Sequence, residues 1–230
     1  LQSPSRTLLI PFFAVFLLAL PSCSSKKQGV NRKGANHLFR DGAVVTKVER
    51  MPGSGTRCGE VAGIIDAPRE RVWKIISDYN AHKDFMPNIL ESFMIRPEAL
   101  ELVKEASPRD LPRLEDQLRK YRTDDIVGDI VYFYGMGDFP WPMADRRYIL
   151  KIVRDRERYT IHATMVIGQM KVNESSWELK PYGPDGSKTV AKYTILLDPG
   201  IPVPGFMLNI AVNSTLPEVI EVVRRRLKGA

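Results

Sequence analysis

The chain has 230 residues, 43 % apolar and 27 % charged, a globular composition that excludes disorder as the general state. Its formal net charge is +7, yet no basic run is interleaved with aromatics as a nucleic-acid platform requires, so no nucleic-acid partner is expected. The two cysteines and three histidines form no CxxC, no zinc spacing and no HExxH, and GxSxG is absent; no metal, cofactor or catalytic nucleophile is expected.

The N-terminus carries Arg6 and then an almost wholly apolar run from Leu8 to Leu20. A charged n-region and an h-region of this length predict a secretory signal peptide over residues 1–22. As a helix the run rises about 20 Å, short of the roughly 30 Å of hydrocarbon that a spanning helix must cross. Leu20-Pro21-Ser22-Cys23 resembles the lipobox of bacterial lipoproteins, with Pro21 in place of the usual small residue. The resemblance implies lipidation at Cys23, a periplasmic, membrane-anchored protein, and the membrane surface as a partner. A Cys23–Cys58 disulfide is the formal alternative. Residues 23–40 are polar and basic, with Lys26, Lys27, Arg32, Lys33 and Arg40, and are read as a tether.

The folded domain is expected over residues 41–230. Val44 to Arg50 and Cys58 to Ile65 predict a hairpin about Gly53-Ser54-Gly55. Asp66-Ala67-Pro68 opens a helix whose Val72, Trp73, Ile75, Ile76 and Tyr79 share one face. Asn88 to Ile95 predicts a strand. Residues 98–122 predict two short helices, the second starting at Ser107-Pro108-Arg109-Asp110. Strands are expected again at 125–135, 146–153, 159–168, 174–182 and 189–198. Leu208, Val212, Leu216, Val219, Ile220, Val223 and Leu227 predict one long amphipathic C-terminal helix, kinked or split at Pro217. The fold class is therefore α+β, a helix-grip fold: a curved antiparallel sheet wrapped around a long C-terminal helix, enclosing an internal cavity.

Four segments resemble the START-like (SRPBCC) superfamily. They are Ala67 to Tyr79 with Phe85-Met86-Pro87, then Phe139 to Tyr148 with its Pro-Trp-Pro and Asp-Arg pair, then Trp177, and finally Asp198 to Pro204 with Leu208-Asn209. Ile201 departs from the usual second glycine of the last segment. The 98–122 insertion lies outside the minimal pattern, so a rebuilt cavity mouth is expected. The resemblance implies a partner that is a lipid or other hydrophobic small molecule, and an internal cavity of several hundred Å3, on the order of ordinary ligand sites.

Candidate ligand contacts follow. Asp145 and Arg146 are the charges most suited to a headgroup, since a buried guanidinium needs an anion. Only one of Arg146 and Arg147 can face inward, and the family motif selects Arg146. Trp141, Met143 and Phe139 are candidates for the mouth. Met86, Phe93, Tyr132, Tyr134, Met165 and Trp177 are candidates for the lining, and Met207, Asn209 and Asn213 for contacts from the last helix. His82 is expected at a turn or cap, and His162 in solvent. Arg224 to Arg226 is expected to complement the helix C-terminus, or to meet anionic lipid. The reading is a binding or transfer protein at the cell envelope. Two alternatives stand beside it: a polyketide cyclase or aromatase using Arg146, Tyr132 and Tyr134, and a non-catalytic envelope protein that meets its partner through 98–122.

Overall fold

A computed structural model of the protein describes residues 42–139 and 144–229. Nine strands form one curved antiparallel sheet in the order β1-β2-β9-β8-β7-β6-β5-β3-β4. They are β1 (Val44–Arg50), β2 (Arg57–Ile65), β3 (Ile89–Ile95), β4 (Arg122–Thr123), β5 (Ile130–Gly137), β6 (Arg146–Asp155), β7 (Thr160–Gly168), β8 (Val172–Tyr182) and β9 (Lys188–Asp198). The helices are α1 (Arg69–Ile76), α2 (His82–Phe85), α3 (Leu111–Arg119) and α4 (Gly205–Lys228).

Alternation along each strand divides the side chains between two faces. On the inner face, Val61 and Ile65 of β2, Leu150 and Ile152 of β6, Ile161 and Ala163 of β7, and Trp177 and Leu179 of β8 join α1 and α4 in the main core. Two strand glycines let α4 approach. A Cβ on Gly59 would stand 2.8 Å from Leu216 and 3.0 Å from Val212, and one on Gly63 would stand 3.0 Å from Ile220. The helix thus lies on β2 where that strand has no side chain to offer.

The outer face of β3, β5 and β6 carries a second core. Phe93, Ile95, Tyr134 and Ile149 pack beneath Ala99, Val103, Leu111 and Leu118 of the insertion. Glu115 of α3 binds this layer to the sheet. It accepts hydrogen bonds from Tyr134 Oη at 2.7 Å, Arg147 Nε at 2.9 Å and Arg119 at 2.8 Å. Burial alone would raise its pKa, but these three donors hold it below the usual carboxylate value. Arg119 also reaches Glu91 of β3 at 2.7 Å.

Several boundaries differ from the sequence expectation. Pro68 is the capping residue of α1 rather than its first helical residue, and its φ of −63° with ψ of 154° is extended. The strand expected from 125 begins at Ile130, after Gly128 turns the chain at a φ of +71°. The first insertion helix is a 3-10 helix over Pro97–Val103, while the capping box at Ser107 and Asp110 is present as expected. Neither break nor split occurs at Pro217: α4 runs 24 residues through it as one helix. The insertion does not rebuild the mouth, because it lies on the opposite face of the sheet from the cavity.

Candidate functional site

Between the inner face and α4 the structure encloses a cavity of about 210 Å3. This is smaller than the several hundred Å3 expected, and is roughly the volume that seven water molecules occupy in the liquid. Its walls follow from strand phase. Phe133 of β5, Tyr148, Leu150 and Ile152 of β6, and Ile161 and Ala163 of β7 face inward. So do Asn173, Ser175 and Trp177 of β8, and Tyr193, Ile195 and Leu197 of β9, which pair residue for residue across the two strands. Helix α4 closes the space with Val212, Thr215, Leu216 and Val219, and the α1 side adds Ile76, Tyr79, His82 and Met86.

The lining is chiefly carbon, and inward of the mouth its polar groups are uncharged. His82 Nε2 stands 3.1 Å from the Ile76 carbonyl oxygen, so the ring carries its proton on Nε2 there. Burial lowers its pKa to about 4, leaving the imidazole neutral at pH 7. Burial raises the phenols of Tyr79, Tyr148 and Tyr193 above their ordinary value. Among the described residues the one carboxylate on the wall is Asp138 at the mouth, and it is exposed.

The mouth is framed by α4 and by the segment before β3. Asn88 holds a positive φ of 58°, its Nδ2 donates to Thr215 Oγ1 at 3.0 Å, and its carbonyl accepts from the Asp138 N–H at 2.9 Å. Phe139 packs against Gly137, where a Cβ would stand 3.0 Å from its ring. A broader groove of about 1320 Å3 lies between the end of α4 and the β8–β9 turn. It is lined by charges such as Asp66, Arg71, Lys188 and Glu221, so the enclosed apolar cavity is the candidate site for a hydrophobic ligand.

The structure brings some of the expected residues together and sends others elsewhere. Trp177, Met86 and Phe139 line the cavity. Tyr134 and Phe93 do not: they stack at 4.7 Å between centroids in the outer core, beneath the insertion. Tyr132 packs against that same outer core, since Phe133 takes the inward place between the two tyrosines. Met165 is on the inner face and packs against the main core, outside the cavity lining. Asp145 is exposed. Arg146 is on the inward phase and Arg147 on the outward one, as expected, but Arg146 pairs with Gly137 beside the mouth and does not line the wall. Asn209 accepts from Arg57 Nε at 3.0 Å and Asn213 is exposed; neither reaches the cavity lining. Trp141, Met143 and Cys23 lie outside the described residues, as does the side chain of Met207. Cys58 is buried.

Arg224 is neither free at a helix end nor available to lipid. It donates to the Ile64 carbonyl at 2.7 Å and the Gly42 carbonyl at 2.9 Å, and pairs with Glu221 at 2.6 Å. Arg225 pairs with Glu218, and Arg226 lies 5.4 Å over the Phe85 ring. The sequence reading missed Tyr148, Tyr193, Asn88 and Thr215. Strand phase extended from Trp177 to its neighbours Ser175 and Asn173, and across to Tyr193, would have found part of this set.

A curved sheet closed by one long helix around a mostly apolar cavity defines a helix-grip ligand-binding fold. Residues 65–224 match the family described as polyketide cyclase / dehydrase and lipid transport. The chain belongs to that family, within the START-like superfamily. Its fold is similar to that of a STAR-related lipid transfer protein from Xanthomonas axonopodis, with 17 % identity, TM-score 0.60, and 80 % of this chain and 93 % of that one covered. It is also similar to the Zhui aromatase/cyclase of a Streptomyces species, with 12 % identity, TM-score 0.53 and 75 % and 94 % covered. A START superfamily protein from Mycobacterium smegmatis matches with 16 % identity, TM-score 0.50 and 81 % and 97 % covered. A comparison with curated proteins found no match.

Proposed function

We propose that the protein binds a hydrophobic small molecule in this cavity and holds or carries it at the bacterial cell envelope, without transforming it. The observation that carries the reading is the 210 Å3 cavity, walled mainly by carbon and, among the described residues, by no acidic or basic side chain inward of Asp138 except the neutral His82. Acid–base chemistry needs a group that titrates near the working pH. His82, with a pKa of about 4, is not such a group. Tyr132 and Tyr134, the residues a cyclase reading would use, belong to the outer core. The insertion is accounted for by the sheet face it covers, which leaves the envelope-partner reading without a specific support.

Export is supported by the apolar run at Leu8 to Leu20 and by Cys23 behind it. A lipid on Cys23 and a bridge to Cys58 compete for one sulfur, and both belong outside a reducing cytoplasm. Native mass spectrometry of the full chain after exposure to a total lipid extract tests the reading. A reproducible added mass, released on denaturation and belonging to one compound class, is the expected outcome. A bare protein mass across all extracts would refute it. The denatured spectrum also reports whether Cys23 carries lipid or the chain has lost two hydrogens to a bridge.

A further inference from the structure

Two polar side chains stand next to one another on the cavity wall. Asn173 and Ser175 are two residues apart on β8, so both leave the same face of the strand, and both line the cavity. Their cross-strand partners on β9 are aliphatic, Leu197 for Asn173 and Ile195 for Ser175. On β7, Ser175 stands beside Ala163. An amide and a hydroxyl are thus set in a wall of carbon. Asn173 is only 8 % exposed. A buried amide offers two donors and an acceptor, and its burial is costly unless a polar group meets it. Leucine has nearly the same shape without that cost, so the amide calls for a physical reason.

Strand register fixes where the pair lies. Asn173 is the second residue of β8 and stands beside the end of β9. Tyr148, another wall residue, is two places from Arg146, which pairs with Gly137 at the mouth. Tyr148 itself pairs with Gly168, the last residue of β7, and the turn from β7 brings the start of β8 back to that end. Asn173, Ser175 and Tyr148 therefore occupy the mouth end of the wall. Ile152, Ile161 and Trp177 occupy the other end, where Ile161 pairs with Trp177. Polar atoms away from the mouth are already engaged or sealed: His82 Nε2 is held by the Ile76 carbonyl at 3.1 Å, and the Tyr79 hydroxyl is buried away from the space. Among the described residues no cationic side chain lines the cavity. A carboxylate or phosphate would be buried there without a counter-charge, which is strongly unfavourable.

We propose that Asn173 and Ser175 form an uncharged polar seat near the mouth, which receives the hydroxyl or carbonyl oxygen of a neutral, otherwise apolar ligand whose body points toward Trp177. The seat's donors and acceptors suit either oxygen, and the apolar depth of the cavity takes the hydrocarbon. This inference rests on the cavity-binding reading above.

Three probes of similar size test it by equilibrium dialysis against the full chain at pH 7: 2-naphthol, naphthalene and naphthalene-2-carboxylate. The naphthol, uncharged at this pH, is expected to bind about three- to tenfold more tightly than naphthalene, the range that a neutral hydrogen bond supplies. The carboxylate is expected to bind more weakly than either. Asn173→Leu and Ser175→Ala should each reduce the preference for the naphthol while leaving the naphthalene affinity within about twofold. Ser175→Ala removes a single oxygen and carries the test alone if Asn173→Leu does not fold. Equal binding of the naphthol and naphthalene, or a preference that survives the substitutions, would overturn the seat while sparing the cavity. Tightest binding of the carboxylate would overturn the neutral ligand class. Binding of none of the three would overturn the cavity reading as well.

Discussion

At the scale of single residues, His82 gives the wall of the cavity a signature in pH. Its unfolded ring takes a proton at pH 6.5, but in the folded protein burial delays this to about 4. The unfolded chain therefore binds more protons between these values, and stability falls as pH drops from 6.5 toward 4. The shift corresponds to roughly 3 kcal/mol once it is fully expressed. Urea midpoints at pH 7.5, 5.5 and 4.5 should decline, and His82→Phe should flatten the decline above pH 4.5, before the lowered carboxylates of Glu91 and Glu115 contribute. A decline unchanged in the variant would place its cause elsewhere. His82 was legible in the sequence only as a turn residue. Its hydrogen bond to Ile76 fits that role, but its place in the wall depends on Phe133 across the sheet, whose ring centroid is 5.8 Å away. Tyr132 and Tyr134 show the converse difficulty. Three aromatics in a row give no polar phase, and the insertion makes the outer face apolar too, so alternation could not tell which face belonged to the ligand.

At the scale of elements, the helix on β2 is the contact most sensitive to a single methyl group. Gly59→Ala would put a Cβ 2.8 Å from Leu216 and 3.0 Å from Val212, and both side chains are buried in the core and would have to shift. Overpacking of this kind typically costs about 1–3 kcal/mol. Chemical denaturation of Gly59→Ala should show a loss in that range, whereas Gly42→Ala, with nothing within 4 Å but a φ of +76°, should lose only the smaller cost of a strained backbone. Most elements were legible from period alone: the hairpin of β1 and β2, the meander from β5 to β9 and the long last helix all occur in the expected order, with β5 starting five residues late. The insertion's two short helices were legible as well, but not their location. Leu111 and Leu118 announce an apolar stripe without naming the surface it meets, and that surface is the outer side of residues from three other strands. The helix continues through Pro217 without splitting, because a proline costs a helix one donor and some crowding, and packing of α4 on β2 and β1 offsets that.

At the scale of the whole molecule, the ion pairs and second core on β3, β5 and β6 make the cavity's walls unequal. These strands are loaded on both faces, and Glu115 ties three of their neighbours into one polar knot. The outer face of β7 instead shows His162, Thr164 and Val166 to solvent. Amide exchange should therefore be slowest in β5 and β6 and faster in β7; uniform protection across the sheet would contradict this. The molecule then resembles a vessel with one braced side and one pliant side. A guest larger than the resting volume would make room by moving the pliant side, so the braced side would stay in place as a fixed ruler against which guests of different length are measured.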